Sequence, residues 1–308
     1  MQTEPRSPEV ASGTVRTVIG AIGRVLVTVG LLILLFVAYQ LWGTGIYEAR
    51  AQSDLESQFD RELARQSSQS PTTTTSGTTS TTAPLALPST PAAGDPVGVI
   101  KIDEIGVDKV VVEGTTVPDL RKAPGHYEGS PLPGQLGNAA IAGHRTTYGA
   151  PFGDLDQLAL GETISIQTLT GTWKYELARD PFVVSPTQTE VLDPVPGEAT
   201  LTLTTCNPKY SASERLIVQA RLDQDGPPAL QAPDTQPKLV LDTGLSGGSE
   251  SRAPVFLWGL IAAVVGGLWW LLFHRYPRWT AWVAGAIPFL VALFVFYSYL
   301  ERVLPNNY

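Results

Sequence analysis

Three long apolar blocks constrain the fold of this 308-residue chain more than any other feature of its sequence. They cover residues 25–42, 254–273 and 280–300. Each block is long enough for an α-helix to cross the apolar core of a bilayer, which is about 30 Å thick. The more polar segment between the first two blocks must therefore fold outside the membrane.

Arginines flanking the blocks predict the orientation. Arg6, Arg16 and Arg24 precede the first block, and Arg275 and Arg278 lie between the other two. Basic flanks stay in the cytoplasm, so both groups belong on that side. The two assignments agree, because one span leaves the cytoplasm and the next returns to it. We therefore expect a multi-pass protein of the cell membrane whose middle segment is extracellular.

The first block has a second interpretation, a cleaved signal peptide. Ala49-Arg-Ala51 offers a small-x-small cleavage site. The apolar run is longer than the usual signal core of about 7–15 residues, which favours an uncleaved anchor. Under either interpretation, the middle segment is exported from the cytoplasm.

Composition divides the chain further. After the first span, Leu55, Phe59 and Leu63 recur at spacings that suit one face of a helix. Two stretches rich in Ser, Thr, Pro or Gly read as linkers. The predicted order is a cytoplasmic tail (1–17), a transmembrane helix (18–42), a membrane-proximal helix (43–66), a linker (67–96), a folded domain (97–222), a second linker (223–253), a transmembrane helix (254–273), a cytoplasmic turn (274–279), a transmembrane helix (280–300) and an extracellular tail (301–308).

The folded domain is predicted to be all-β. Short strand-like runs alternate with Gly-, Pro- and Asp-containing loops, and no long helical pattern separates them. This arrangement favours an eight-stranded, closed or nearly closed β-barrel with short helical turns. The predicted strands are 97–102, 107–113, 138–142, 163–168, 172–178, 182–185, 199–205 and 215–222.

The chain has a single cysteine, Cys206, at the end of the seventh predicted strand. Alternation places Leu201 and Leu203 on the core face and Cys206 on the opposite, polar face. If the next loop reverses the chain, Arg215 emerges beside Cys206 on the same outward face. A thiol next to a guanidinium is a candidate nucleophile with a partner for developing negative charge. The alternative is a small buried residue without chemistry.

A cysteine nucleophile needs a proton carrier, and the chain has three histidines. His274 falls in the predicted cytoplasmic turn, on the wrong side of the membrane. His126 lies in a Pro-Gly-flanked loop, where a hydrogen bond that holds the loop is the favoured role. His144 follows the apolar run 138–142 and would lie at the end of a strand. The candidate catalytic residues are therefore His144, Cys206 and Arg215.

These residues lie in motifs that resemble those of the sortases, the membrane-anchored cysteine transpeptidases of Gram-positive bacteria. The sequence TLTTC at 202–206 matches the TLxTC signature, AGHR at 142–145 matches the histidine motif, and Arg215 opens the last strand. Neighbouring residues are most similar to class E sortases of actinobacteria. The resemblance covers about 97–222.

The resemblance implies a sortase barrel and a His–Cys–Arg mechanism. Cys206 would attack the Thr–Gly bond of an LPxTG-like signal, with LAxTG the class E expectation, and form a thioacyl enzyme. His144 would transfer protons, and Arg215 would hold the oxyanion with backbone amides near Thr205. The partners would be surface proteins bearing the signal, a peptidoglycan precursor amine and the lipid bilayer.

Other functional classes are less favoured. The net charge of −8 and the lack of basic runs disfavour nucleic-acid binding. No motif indicates a cofactor or a metal site. An L,D-transpeptidase would place a His-Gly pair just before the cysteine, where this chain has Thr204 and Thr205. A pilin-polymerising sortase, with its C-terminal span, and a non-catalytic membrane-tethered barrel remain alternatives.

Overall fold

Short β-strands between Pro96 and Leu222 form one sheet that closes on itself. The computed structural model describes residues 10–69, 91–232, 251–273 and 279–303. The strands are β1 Pro96–Ile102, β2 Val107–Glu113, β3 Gly125–His126, β4 Gly137–Ala142, β5 Thr163–Thr168, β6 Gly171–Leu177, β7 Phe182–Val184, β8 Ala199–Asn207 and β9 Glu214–Leu222.

Eight of these strands make the closed ring, which confirms the predicted barrel. The order is β6-β5-β1-β2-β3-β4-β8-β9, and the pairing of β6 with β9 closes it. All eight predicted strands are present, but β7 pairs only with the first half of β9 and lies outside the ring. The missing member is β3, which is too short for a period-two pattern and lies in a loop-like sequence.

The barrel interior is filled by apolar side chains that alternate along the strands. On β6 the buried positions are Trp173, Tyr175 and Leu177, with exposed residues between them. Leu201 and Leu203 face this interior from β8, as their alternation predicts. The buried Tyr175 hydroxyl accepts a hydrogen bond from the Gly134 N–H (2.7 Å), and burial raises the pKa of Tyr175 to about 12.

The helices outside the barrel are longer than the sequence suggests. Helix α1 (Val10–Ala38) continues through a π-helical turn (Tyr39–Gly43) into α2 (Thr44–Gln69). Residues 10–17, predicted as tail, are therefore helical. A short helix, α3, spans Val117–Leu120, and the chain ends in α4 (Ala253–Phe273) and α5 (Trp279–Val303). The predicted cytoplasmic turn and most of both linkers lie outside the described residues.

Among the residues that the structure describes, three helices are long and apolar enough to cross a membrane, within Arg16–Ser68, Ala253–Leu272 and Trp282–Glu301. They pack together, since the Tyr297 hydroxyl on α5 donates to Leu32 O on α1 (2.6 Å). Glycine allows the close approach of α4 and α5, because a Cβ at Gly285 would overlap the ring of Trp269.

One face of α2 docks on the barrel. This face consists of buried residues at spacings of four, three and four along the helix: Glu48, Gln52, Leu55 and Phe59. Strand β3 pairs only with the end of β2, which leaves the edge of β2 open at Val110. The Gln52 side chain pairs with this edge: Oε1 accepts from Val110 N (2.8 Å) and Nε2 donates to Val110 O (3.1 Å). The amide therefore replaces a missing strand neighbour.

This contact predicts the effect of Gln52→Leu. The variant leaves the backbone groups of Val110 unpaired under an apolar side chain, at a cost of about 1–3 kcal/mol. We expect a lower melting temperature and faster hydrogen exchange at the Val110 amide in the detergent-solubilised full chain. Glu56→Leu, at an exposed position of the same helix, is the control and leaves both unchanged. Equal protection of Val110 in both variants would contradict this role.

Candidate active site

Strands β4 and β8 run parallel and end at the same rim of the barrel. Their register pairs Ala142 with Thr204, and the Gly143 N–H donates to Thr204 O (3.0 Å). The Thr205 hydroxyl donates to Gly143 O (2.7 Å), which ties the two strand ends together. His144 follows Gly143 directly and Cys206 follows Thr205 directly, so both residues lie at this rim. Thr205, predicted to contact substrate, thus holds the backbone between them.

Arg215 reaches the same rim from β9. In the antiparallel pairing of β8 with β9 it lies directly opposite Cys206, so both side chains emerge on one face. Its Nη1 donates to Ala212 O and Glu214 O, at 3.0 Å each. The three predicted site residues therefore converge at one end of the barrel, through one parallel and one antiparallel strand pair.

The predicted open position of Cys206 is wrong. The side chain lies outside the barrel interior, as expected, but it is only 5% exposed, and loops cover it. It packs in a small cluster with Leu120, Tyr127, Ala140, Ala142 and Leu192. Strand alternation reports which side of the sheet a residue faces, but it carries no information about what covers that side.

Polar groups on this covered face are satisfied internally. The Thr200 and Thr202 hydroxyls both donate to Asn138 Oδ1, at 3.1 and 2.9 Å. Thr204 Oγ1 lies 3.2 Å from the Tyr127 hydroxyl. The threonines that suggested a solvent-facing strand instead form a buried hydrogen-bonded layer next to the thiol.

Burial keeps Cys206 and His144 neutral. Burial raises the pKa of the Cys206 thiol, and Arg215 and then Arg145 partly offset this effect. Burial also lowers the pKa of His144 to about 4, and the positive charge of Arg121 contributes. At neutral pH the pair is therefore thiol and imidazole. A thiolate–imidazolium pair would form only by proton transfer from sulfur to nitrogen.

His144 is held by its ring contacts. Its ring centroid lies 5.0 Å from that of Tyr148, and the side chain is 5% exposed. Within the described part of the chain, Nε2 is buried and has no hydrogen-bond partner. His126 differs: its Nδ1 pairs with Glu113 (2.8 Å) and its Nε2 with Pro131 O (2.9 Å). His126 therefore fixes its loop, as the sequence favoured.

Arg145 is a site residue that the sequence did not single out. Its Nη1 donates to Cys206 O (3.3 Å) and to Asn207 Oδ1, while Nη2 pairs with Asp156 (3.2 Å). It therefore holds the backbone that carries the thiol. The sequence signal for Arg145 was its position directly after His144, at the end of the AGHR motif.

Comparison with known proteins identifies the family of this chain. Residues 100–223 match the model of the sortase domain. The chain belongs to the sortase family. Over 231 residues it is 30% identical to sortase SrtE1 of Streptomyces coelicolor. The aligned region covers 70% of this chain and 60% of that protein. It is 28% identical over 218 residues to SrtE2 of the same organism, covering 66% and 81% of the two chains.

Solved sortase structures are also similar to parts of the chain. Sortase E from Streptomyces avermitilis is 40% identical and matches 43% of this chain and 91% of its own, with a TM-score of 0.39. A Clostridium perfringens sortase D5 transpeptidase is 30% identical and matches 57% and 98%, with a TM-score of 0.44. Sortases are cysteine transpeptidases, and this member has one cysteine.

The electrostatics of the rim predict how Cys206 reacts with iodoacetamide, which labels no other thiol in this chain. Alkylation of the folded protein is expected to be slow at pH 7 and to accelerate at a higher pH than in the urea-unfolded chain, because burial disfavours the thiolate. Arg215→Gln moves the midpoint higher still, since it removes the cation that favours the thiolate.

Arg221→Gln is the matched control, because this arginine lies on the same strand but pairs with Glu198 (3.1 Å). It leaves the midpoint unchanged. A midpoint in the folded wild type at or below that of the unfolded chain would refute the description of a desolvated thiol.

Proposed function

We propose that this sortase is a membrane-anchored transpeptidase with Cys206 as nucleophile, His144 as proton carrier and Arg215 as oxyanion partner. The observation that supports it best is the strand register. Cys206 lies opposite Arg215, and Thr205, the residue before Cys206, is hydrogen-bonded to Gly143, the residue before His144. The match over 100–223 to the sortase domain spans all three residues.

The chemistry follows from the neutral resting pair. As the substrate carbonyl approaches, the Cys206 proton passes to His144, and the sulfur attacks the Thr carbonyl of the sorting signal. The Arg215 guanidinium and nearby backbone amides, including those around Thr205, would stabilise the oxyanion. Collapse breaks the Thr–Gly bond, and His144 protonates the leaving glycine amine. The products are a thioester on Cys206 and a released C-terminal peptide.

The second half reverses these steps with a different amine. An acceptor amino group attacks the thioester, His144 takes its proton and passes it to the departing sulfur, and Cys206 returns to the thiol. We propose a peptidoglycan precursor as the acceptor, and surface proteins with LPxTG-like or LAxTG-like signals as the donors. The similarity to SrtE1 and SrtE2 supports the class E motif.

We propose a multi-pass topology with the barrel outside the cell. Thr44, at the end of the first span, accepts a hydrogen bond from Tyr148 N (3.1 Å), and Glu301, at the end of α5, lies 3.9 Å from Arg121. These two helix ends therefore contact the same side of the barrel, as a shared membrane surface requires. The order of the predicted segments is part of this proposal, with the first helix beginning at Val10.

The test is transpeptidation by the purified full chain in detergent. With LAxTG or LPxTG peptides and an amine acceptor, we expect a new Thr–amide product and a Cys206 thioester that hydroxylamine releases. Cys206→Ala abolishes both. His144→Ala and Arg215→Ala lower kcat/KM by about 10²-fold or more, since each removes a group used in the transition state.

Arg221→Ala, from the same strand as Arg215, is the control and retains activity. Product formation at the wild-type rate by Cys206→Ala would reject this mechanism. Correctly folded wild type that forms no thioester with any sorting peptide would favour the non-catalytic alternative.

A further inference from the structure

A buried ion pair joins the last turn of α5 to the barrel beside the proposed catalytic histidine. Glu301 Oε1 lies 3.9 Å from Arg121 Nε, and the two side chains are 9% and 8% exposed. Charges buried to this extent are costly without an opposite charge nearby. The apolar hairpin therefore contributes a carboxylate at the point where it meets the domain.

Arg121 lies next to the proposed active site. It directly follows α3, whose last residue, Leu120, packs in the same cluster as Cys206. Its charge acts on His144, because it disfavours a second positive charge on the imidazole. Arg121 thus pairs with the carboxylate of Glu301 and places a positive charge near the imidazole of His144.

The membrane-anchored helices surround this corner. A cavity of about 260 Å³ is lined by residues of α2, α5 and the barrel loops, including Tyr47, Tyr148, Arg121 and Glu301. Tyr148 connects the cavity to the site, since its ring lies 5.0 Å from that of His144 and its N–H donates to Thr44 on α2. Both the first and the last membrane helix therefore reach the surroundings of His144.

We propose that Glu301 and Arg121 are positioning residues for His144. The C-terminal membrane hairpin thus contributes a side chain that acts on the active site. Arg121 sets the electric field at the imidazole, and Glu301 holds Arg121 and offsets its charge. This inference rests on the proposed role of His144 as proton carrier. It assigns a function to the hairpin that its apolar sequence does not indicate.

The other charged or titratable groups near this corner come from five elements. They are Tyr39 from the π-helical turn, Tyr47, Glu48 and Arg50 from α2, Arg145 and Tyr148 from the loop that carries His144, Cys206 from β8 and Arg215 from β9. None of them is changed in the experiment below, so their contributions cancel in the comparison.

The experiment titrates the histidines of the full chain in nanodiscs, using ¹³C-labelled imidazole signals. Glu301→Gln removes the compensating anion and is expected to lower the midpoint of His144. Arg121→Gln removes the cation and is expected to raise it by about one pH unit. The double variant falls between wild type and Arg121→Gln. His126, which lies in its own buried network, is the internal reference.

Conservative and distant variants separate positioning from folding. Glu301→Asp and Arg121→Lys keep the charges and are expected to titrate close to wild type, while Glu56→Gln removes an exposed carboxylate of α2 and shifts nothing. If Glu301→Gln and Arg121→Gln lower stability or turnover without moving His144 in opposite directions, the pair is only structural and the inference fails. Thioester formation by the wild type is scored separately, so failure of the proposed function is distinguishable.

Discussion

The parallel pairing of β4 with β8 is the contact on which the rest of the site depends. Parallel neighbours end at the same edge of a sheet, so one register decides that His144 and Cys206 share a rim. The hydrogen bond from Thr205 to Gly143 O holds that register where the strands end. A slip of one residue would exchange the faces of β8 and move the thiol into the barrel interior.

Burial of this rim determines its resting chemistry. Loops cover the threonine face of β8, and the low-polarity surroundings favour the neutral forms of both Cys206 and His144. A neutral thiol is a weak nucleophile, which protects the sole cysteine of the chain from adventitious oxidation. The three arginines around the site, Arg121, Arg145 and Arg215, act in different directions: two favour the thiolate, and the third disfavours the imidazolium.

The helices outside the barrel belong to the same structural unit. Helix α2 pairs with the open edge of β2 through Gln52, and its buried face continues to Phe59. Helix α5 adds Glu301 to a pocket beside the loop of His144. A domain isolated at the start of β1 would lose both contacts, so the full chain is the form in which the geometry described above exists.

The sequence by itself determined the three apolar helices, all eight predicted strands and the core face of β8, because length and alternation are local, and its short motifs predicted that His144, Cys206 and Arg215 lie together. Only the tertiary structure decided that β3 rather than β7 belongs to the ring, that loops bury Cys206, that Arg145 holds its backbone and that Glu301 meets Arg121. Each of these is a contact between residues distant in the chain. Local periodicity reports which side of an element a residue faces, and only the folded chain determines what lies against that side.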